Sequence, residues 1–290
     1  MANKKIILGT ATFASGYGIK KNKGLSIKKI NEIYSILKKN RIDSIDTAFF
    51  YPGVEKKIGK SKIKNLKVYT KISKIPSKFL SNPENWILNK IKKSLLQSGQ
   101  NFFQGVYLHD PKSLSGANGA KIYKTLLLLK EIGYTKKIGV SVYSPEELNK
   151  IINKYKIDIV QFPMNIFDRR FLKNNYLEKL KKKKIEIHVR SIFLQGLLLQ
   201  SKEFATKNFK KFSKIFSLWE QWNLKNKNKK IETCLNFIFN QKNIDKIVVG
   251  ILNTNELKEI INFKKKNNKF PKKLFSNNKL LTDPRLWKKV

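Results

Sequence analysis

Cysteine occurs once, histidine twice and arginine only five times in a chain of 290 residues whose 62 basic side chains face 20 acidic ones. The lone Cys234 excludes an intrachain disulfide framework and fits a reducing, cytoplasmic setting. It falls in an apolar helical stretch, 231–240, and reads as a buried, inert thiol. No run of about 18 apolar residues exists, so no segment is long enough to span a membrane as a helix. After Met1-Ala2-Asn3-Lys4-Lys5 only Ile6-Ile7-Leu8 precede Gly9-Thr10, too few for the apolar core of a secretory leader. His, Cys, Asp and Glu nowhere take the spacing of a metal site, so no metal is expected. Nor does a Gly-x-Gly-x-x-Gly turn follow the first apolar run, because Gly9-Thr10-Ala11-Thr12-Phe13-Ala14-Ser15-Gly16 does not fit it.

The net charge of +42 invites a nucleic-acid reading, but its composition argues against one. The arginines are Arg41, Arg169, Arg170, Arg190 and Arg285; all other basic residues are lysine. Recognition of bases and phosphates favours the rigid arginine fork over the solvated lysine ammonium. Lys, Asn and Ile share AT-rich codons, so the charge reads as compositional drift on a solvated surface. Neither a specific nucleic-acid partner nor a membrane is expected. Such a field still draws anionic small molecules.

What is present is a repeat of short β-type runs and longer amphipathic segments. Strand candidates cover 5–8, 44–46, 67–70, 105–108, 137–141, 157–162, 185–190 and 246–249. Helical spacing appears over 26–39, 86–96, 122–132, 146–155, 171–182, 209–240 with an interruption at 225–230, and 255–264. The first buries Ile27, Ile30, Ile33, Tyr34 and Leu37, with Ser26 as N-cap. Ser144-Pro145-Glu146-Glu147 supplies a cap, a first-turn proline and two first-turn carboxylates. Eight such units fit an α/β fold of the (β/α)8 TIM-barrel type, a single domain over 1–290. Residues 265–290 form a tail packing on the barrel, with Trp287 as its anchor.

Asp46, Tyr51, Lys71 and His109 lie at or just past the C-terminal ends of successive strands, where parallel barrels build active sites. Each alone has a plainer explanation: Asp46 as a turn cap, Tyr51 as one aromatic of Phe49-Phe50-Tyr51, Lys71 as one lysine among many. His188, within strand seven, reads as structural. Together the four make chemical sense for carbonyl reduction. A phenol of ordinary pKa near ~10 needs a neighbouring cation to act as an acid–base group. Lys71 supplies that cation, Asp46 holds it, and His109 hydrogen-bonds the substrate oxygen.

Ile45-Asp46-Thr47-Ala48, then Tyr51, Glu55 and Ile58-Gly59, resembles the aldo-keto reductase signature Asp-Thr-Ala-x-x-Tyr-Gly-x-x-Glu-x-x-x-Gly. Val68-Tyr69-Thr70-Lys71, Val106-Tyr107-Leu108-His109, Ile138-Gly139-Val140-Ser141 and Val160-Gln161-Phe162-Pro163-Met164-Asn165 resemble further motifs of that family in the same order. The resemblance implies reduction of an aldehyde or ketone with NADPH or NADH and without a Rossmann fold. It makes Tyr51 the general acid, Lys71 and Asp46 its tuning pair, and His109 the substrate orienter. It gives Ser141 and Gln161 to the nicotinamide carboxamide, and Gly9, Thr10, Arg190, Ser191, Gly250, Asn253 and Glu256 to the rest of the cofactor. Four departures stand out. Pro52 replaces the glycine after the tyrosine, and Val142 the usual asparagine. Arg190 takes the place of an aromatic that stacks on nicotinamide. Glu256 stands where Arg or Gln often meets the adenosine 2′-phosphate, which weakens the NADPH preference. Arg190-Ser191-Ile192-Phe193-Leu194-Gln195-Gly196 and the Asp283-Pro284-Arg285-Leu286-Trp287 tail resemble a bacterial branch associated with sugar and surface-polysaccharide metabolism. The alternative is a non-catalytic barrel that binds the cofactor as a sensor or scaffold.

Overall fold

The computed structural model describes residues 2–63, 65–266 and 268–289. Eight parallel strands close into a barrel in sequence order: β1 (Ile6–Gly9), β2 (Ser44–Asp46), β3 (Lys67–Ile72), β4 (Gly105–Leu108), β5 (Ile138–Ser141), β6 (Ile159–Pro163), β7 (Glu186–Arg190) and β8 (Lys246–Gly250). Around them run α1 (Ile27–Lys39), α2 (Val54–Lys60), α3 (Pro83–Ser98), α4 (Lys112–Ser115), α5 (Gly119–Glu131), α6 (Pro145–Ile152), α7 (Tyr176–Lys182), α8 (Lys202–Asn208), α9 (Ser213–Lys225), α10 (Lys230–Phe239), α11 (Thr254–Ile261) and α12 (Lys279–Thr282). This is the (β/α)8 TIM barrel that the strand–helix repeat implies.

Side chains alternate across each strand, and the two faces have different fates. Val68, Ile72, Val106, Leu108, Ile138, Val140, Ile187 and Val189 point outward and join the main core beneath the helices. Ile7, Tyr69, Tyr107, Ile159 and Val248 form a separate cluster inside the barrel. The same inward parity carries Gly9, Asp46, Lys71, Ser141, Gln161, Arg190 and Gly250 to the upper rim. Gly139 is required here: a Cβ would stand 1.8 Å from the Ile159 carbonyl oxygen on the neighbouring strand. Gly59, the last glycine of the Asp46-to-Gly59 motif, meets a similar limit, its Cβ position lying 2.2 Å from the Gln97 carbonyl oxygen at the α2–α3 approach. Glu55 of that motif is buried, accepting from Thr70 Oγ1 at 3.2 Å and Ser94 Oγ at 2.5 Å, and so ties β3 to α3.

The two expected N-caps form. Ser26 accepts from the Lys29 amide and Ser144 from the Glu147 amide. Ile27 departs from the expected buried face and stands exposed, being the first residue after the cap; Ile30, Ile33 and Leu37 are buried. The helix expected over 171–182 is broken, because Asn174 and Asn175 adopt left-handed conformations (φ 54° each) and only α7 is regular. Asparagine tolerates that region better than most residues. Helix α2 carries no expectation from spacing, since seven residues are too few to display a helical period. In the tail, which also contains positions 267 and 290 outside the described residues, Trp287 donates Nε1 to the Leu281 carbonyl at 3.3 Å. Its ring stands edge-on to Phe209 at 5.2 Å.

Candidate active site

The C-terminal rim of the barrel opens into a cavity of about 530 Å³. Asp46, Tyr51, Lys71, His109, Gln161 and Arg190 all line it. Lys71 is 2% exposed and lies against Asp46 Oδ1, with a second bond to the Thr47 carbonyl at 3.0 Å. The other Asp46 oxygen accepts from Gln161 Nε2 at 2.8 Å. Thr10 is buried behind this pair, giving both its amide and its hydroxyl to the Asp46 carbonyl at 2.9 Å. It therefore positions the end of β2 and does not face the cavity. Burial lowers the Lys71 pKa, and the Asp46 carboxylate opposes that shift.

Tyr51 sits in the turn between β2 and α2, where Gly53 takes φ 69° immediately after Pro52. Its ring meets Phe50 edge-on at 5.2 Å, and Phe50 in turn lies 5.0 Å from the His109 ring. Lys71 Nζ stands 5.7 Å from the Tyr51 ring centroid. Burial pushes the Tyr51 phenol well above its ordinary range, Asp46 adds to the rise, and Arg190 is the cation that opposes it. Lys71 is charge-matched by Asp46, so the downward pull expected of Lys71 is outweighed. His109 behaves differently. Burial, Arg190, Lys71 and Arg285 together lower its pKa to about 3, which keeps the imidazole neutral.

Ser141 and Gln161 are partners across β5 and β6. Ser141 Oγ and Gln161 Oε1 are buried without hydrogen-bond partners. A hydroxyl and an amide oxygen left unpaired in one register fit a carboxamide, which both donates and accepts.

Beyond β8, Gly250 and Glu256 line the cavity and Asn253 caps α11. Asn253 Oδ1 accepts from the Glu256 amide at 2.9 Å, and the Glu256 carboxylate accepts from the Leu252 amide at 2.7 Å. The Asn-x-x-Glu spacing is that of a reciprocal cap. Glu256 thus consumes one of the amides that the loop has to offer a phosphate. Burial raises its pKa.

Arg190 ends β7 and lies 4.3 Å from the Tyr143 ring, with Nη1 3.4 Å from Ser191 Oγ. Ser191 adopts φ 57° and is held through its carbonyl by Asn165 Nδ2 at 3.1 Å. Three further lining residues carry no expectation from the sequence: Tyr17, Tyr143 and Arg285. Tyr143 follows Gly139-Val140-Ser141 by two positions, and Arg285 belongs to the tail motif, which were the available signals. Among the described residues, no three His, Cys, Asp or Glu side chains gather as a metal set, and no helix is long and apolar enough to cross a membrane.

The model of the Aldo/keto reductase family matches residues 5–277. No curated protein matches the chain. Among solved structures, the chain is similar to the holo form of an aldo-keto reductase from Bacillus halodurans. The TM-score is 0.70 at 15% identity, over 91% of this chain and 88% of that one. It is also similar to a glycerol dehydrogenase from Gluconobacter oxydans, with a TM-score of 0.66 at 17% identity over 91% and 88% of the two chains. At these identities the likeness concerns the fold.

Proposed function

Since the chain belongs to the aldo/keto reductase family, whose general chemistry is NAD(P)H-dependent carbonyl reduction, we propose that it reduces an aldehyde or ketone to the alcohol with Tyr51 as proton donor. The observation that carries this reading is the convergence of Tyr51, His109 and the Lys71–Asp46 pair on one cavity.

Tyr51 keeps its proton at neutral pH, as a group must that delivers one to a forming alkoxide. Neutral His109 offers a hydrogen bond to the same oxygen without competing as an acid. Lys71 stands 5.7 Å from the Tyr51 ring, kept in place by Asp46 despite its burial, and Arg190 is the charge that eases the phenolate left behind. A general acid of this kind contributes about 10²–10⁴-fold. Ser141 and Gln161 would hold the nicotinamide carboxamide, the Gly250–Glu256 loop the phosphates, and Gly9 leaves room beside them. When bound, the reduced nicotinamide supplies the hydride for the carbonyl carbon. The Tyr51 proton on the oxygen would complete the alcohol.

Oxidation of NADPH and NADH against a panel of aldehydes, ketones and sugar-derived carbonyls tests the reading. Turnover with either cofactor is the expected result. Cofactor binding, followed by quenching of protein fluorescence, with no turnover of any carbonyl would favour a sensor or scaffold instead. No binding of either cofactor at millimolar concentration overturns both.

A further inference from the structure

Three arginines of this chain place both Nε and Nη2 on acceptors within it. Arg170 places Nε and Nη2 on Asp168 at 2.8 and 2.6 Å, and Arg285 places the same two nitrogens on Asp283 at 2.9 and 2.6 Å. Arg169 donates to the Ile166 and Pro271 carbonyls. Arg190 is different. Its contact with Ser191 Oγ is long, and its Nε and Nη2 are buried with no partner.

That edge is the one the other two arginines use for a carboxylate. Two parallel N–H groups match the two oxygens of a planar carboxylate, and a desolvated guanidinium without an anion is costly. Arg190 also stands at the reacting end of the cavity. Its charge bears on Tyr51, Lys71 and His109, whereas the loop suited to cofactor phosphates follows β8. The nearby charges do not neutralise it: Asp46 is taken by Lys71, and Glu256 by the Leu252 amide. Tyr143 braces the group from one side. The Arg285 guanidinium, fixed by Asp283, lies 3.3 Å from the same ring and brings the tail to this corner.

We propose that the carbonyl substrate carries a carboxylate, received side-on by Arg190 while Tyr51 and His109 hold the carbonyl oxygen. The substrate class is an oxo acid or an acid-bearing sugar, and the assignment rests on the reductase reading. The receiving edge is covered as the side chain stands, so binding requires the Arg190 stem to turn toward the cavity it already lines.

The test compares succinic semialdehyde with butanal, which differ by one carboxylate. Glyceraldehyde 3-phosphate against glyceraldehyde provides a phosphate arm. The wild-type protein is expected to favour the carboxylated aldehyde by at least about tenfold in kcat/KM, chiefly through KM. Arg190→Gln should collapse that ratio toward one, and Arg190→Lys should restore part of it. Equal wild-type kcat/KM for the acid and its neutral partner overturns the proposal, as does a preference confined to the phosphate. A rise in cofactor Kd for Arg190→Gln with the acid preference intact would assign Arg190 to the cofactor and overturn it too. Calorimetric binding of 4-hydroxybutyrate, lost in Arg190→Gln, separates the two readings. Binding without turnover sinks the reductase and keeps the anion site, whereas turnover of neutral carbonyls without this binding does the reverse.

Discussion

The Tyr107 hydroxyl lies 2.7 Å from Nδ1 of His188 inside the barrel, beneath the cavity at its rim. His188 Nε2 lies 2.7 Å from a Glu186 carboxylate oxygen, and Lys137 closes on the other oxygen. Glu186 is held ionised with a pKa of about 2, burial being outweighed by His188 and Lys137, so the imidazole donates through Nε2. Nδ1 then accepts the Tyr107 proton. Gln161 stands near enough to bear on the Tyr107 phenol, and its Nε2 donates to Asp46 at 2.8 Å. One polar chain therefore runs from Lys137 through Glu186 and His188 to Tyr107, and a second joins Gln161, Asp46 and Lys71 at the rim.

Tyr107→Phe removes one link and leaves His188 Nδ1 unpaired in the interior. The expected loss is about 1–3 kcal/mol of stability, read from urea unfolding. The lost hydroxyl lies beside Gln161, whose orientation leaves its oxygen available to the cofactor, so the Kd for NADPH and NADH should rise several-fold. Unchanged cofactor affinity in the folded variant would show that Tyr107 acts on stability alone.

Period and spacing reveal much of this site because the inward parity of each strand decides which side chains reach the rim. Lys71, Gln161 and Arg190 stand two residues beyond the lumen residues Tyr69, Ile159 and His188 on their own strands. Tyr17, Tyr143 and Arg285 lie on loops and a tail, where no period applies. The meeting of Arg285 with Tyr143 depends on the path of residues far apart in the chain. The broken helix before α7 follows from two asparagines in left-handed conformations, a local choice that apolar spacing does not register. The role of Glu256 is written in Asn253-Thr254-Asn255-Glu256, which carries the reciprocal-cap spacing.

Histidine 109 gives a pH signature. Its folded pKa is lowered to about 3 from 6.5, so above pH 6.5 it is neutral folded and unfolded. As pH falls below 6.5 the unfolded chain binds a proton that the folded site refuses, and stability drops until about pH 3. The slope from this group is at most about 1.4 kcal/mol per pH unit, less what solvent screens. The difference in unfolding free energy between the wild type and His109→Gln should therefore shrink or reverse across pH 6 to 4. The kcat profile should show no limb from His109 between pH 6 and 7. An inflection there that His109→Gln abolishes would contradict a neutral imidazole.

Tyr51→Phe removes the proposed proton donor while keeping the ring beside Phe50 and Lys71. We expect kcat to fall by about 10²-fold or more, with cofactor Kd nearly unchanged. Steady-state rates and fluorescence titration on the same preparation check both parts. Activity equal to wild type would remove Tyr51 from the acid role.

Glu256 bears on cofactor choice through two effects that separate by substitution. Its carboxylate occupies the Leu252 amide, and its charge, when ionised, opposes a phosphate entering the same end of the cavity. Glu256→Gln keeps an oxygen to accept from Leu252 and removes the charge. NADPH affinity should then rise about three- to tenfold relative to NADH, by more at low ionic strength. Glu256→Ala releases the amide as well. If amide occupancy matters more than charge, the alanine variant gains affinity for both cofactors, whereas the glutamine variant gains for neither. Fluorescence titrations of both variants with both cofactors decide between repulsion and blockage, and no gain in either variant would leave Glu256 as a helix cap with no part in cofactor selection.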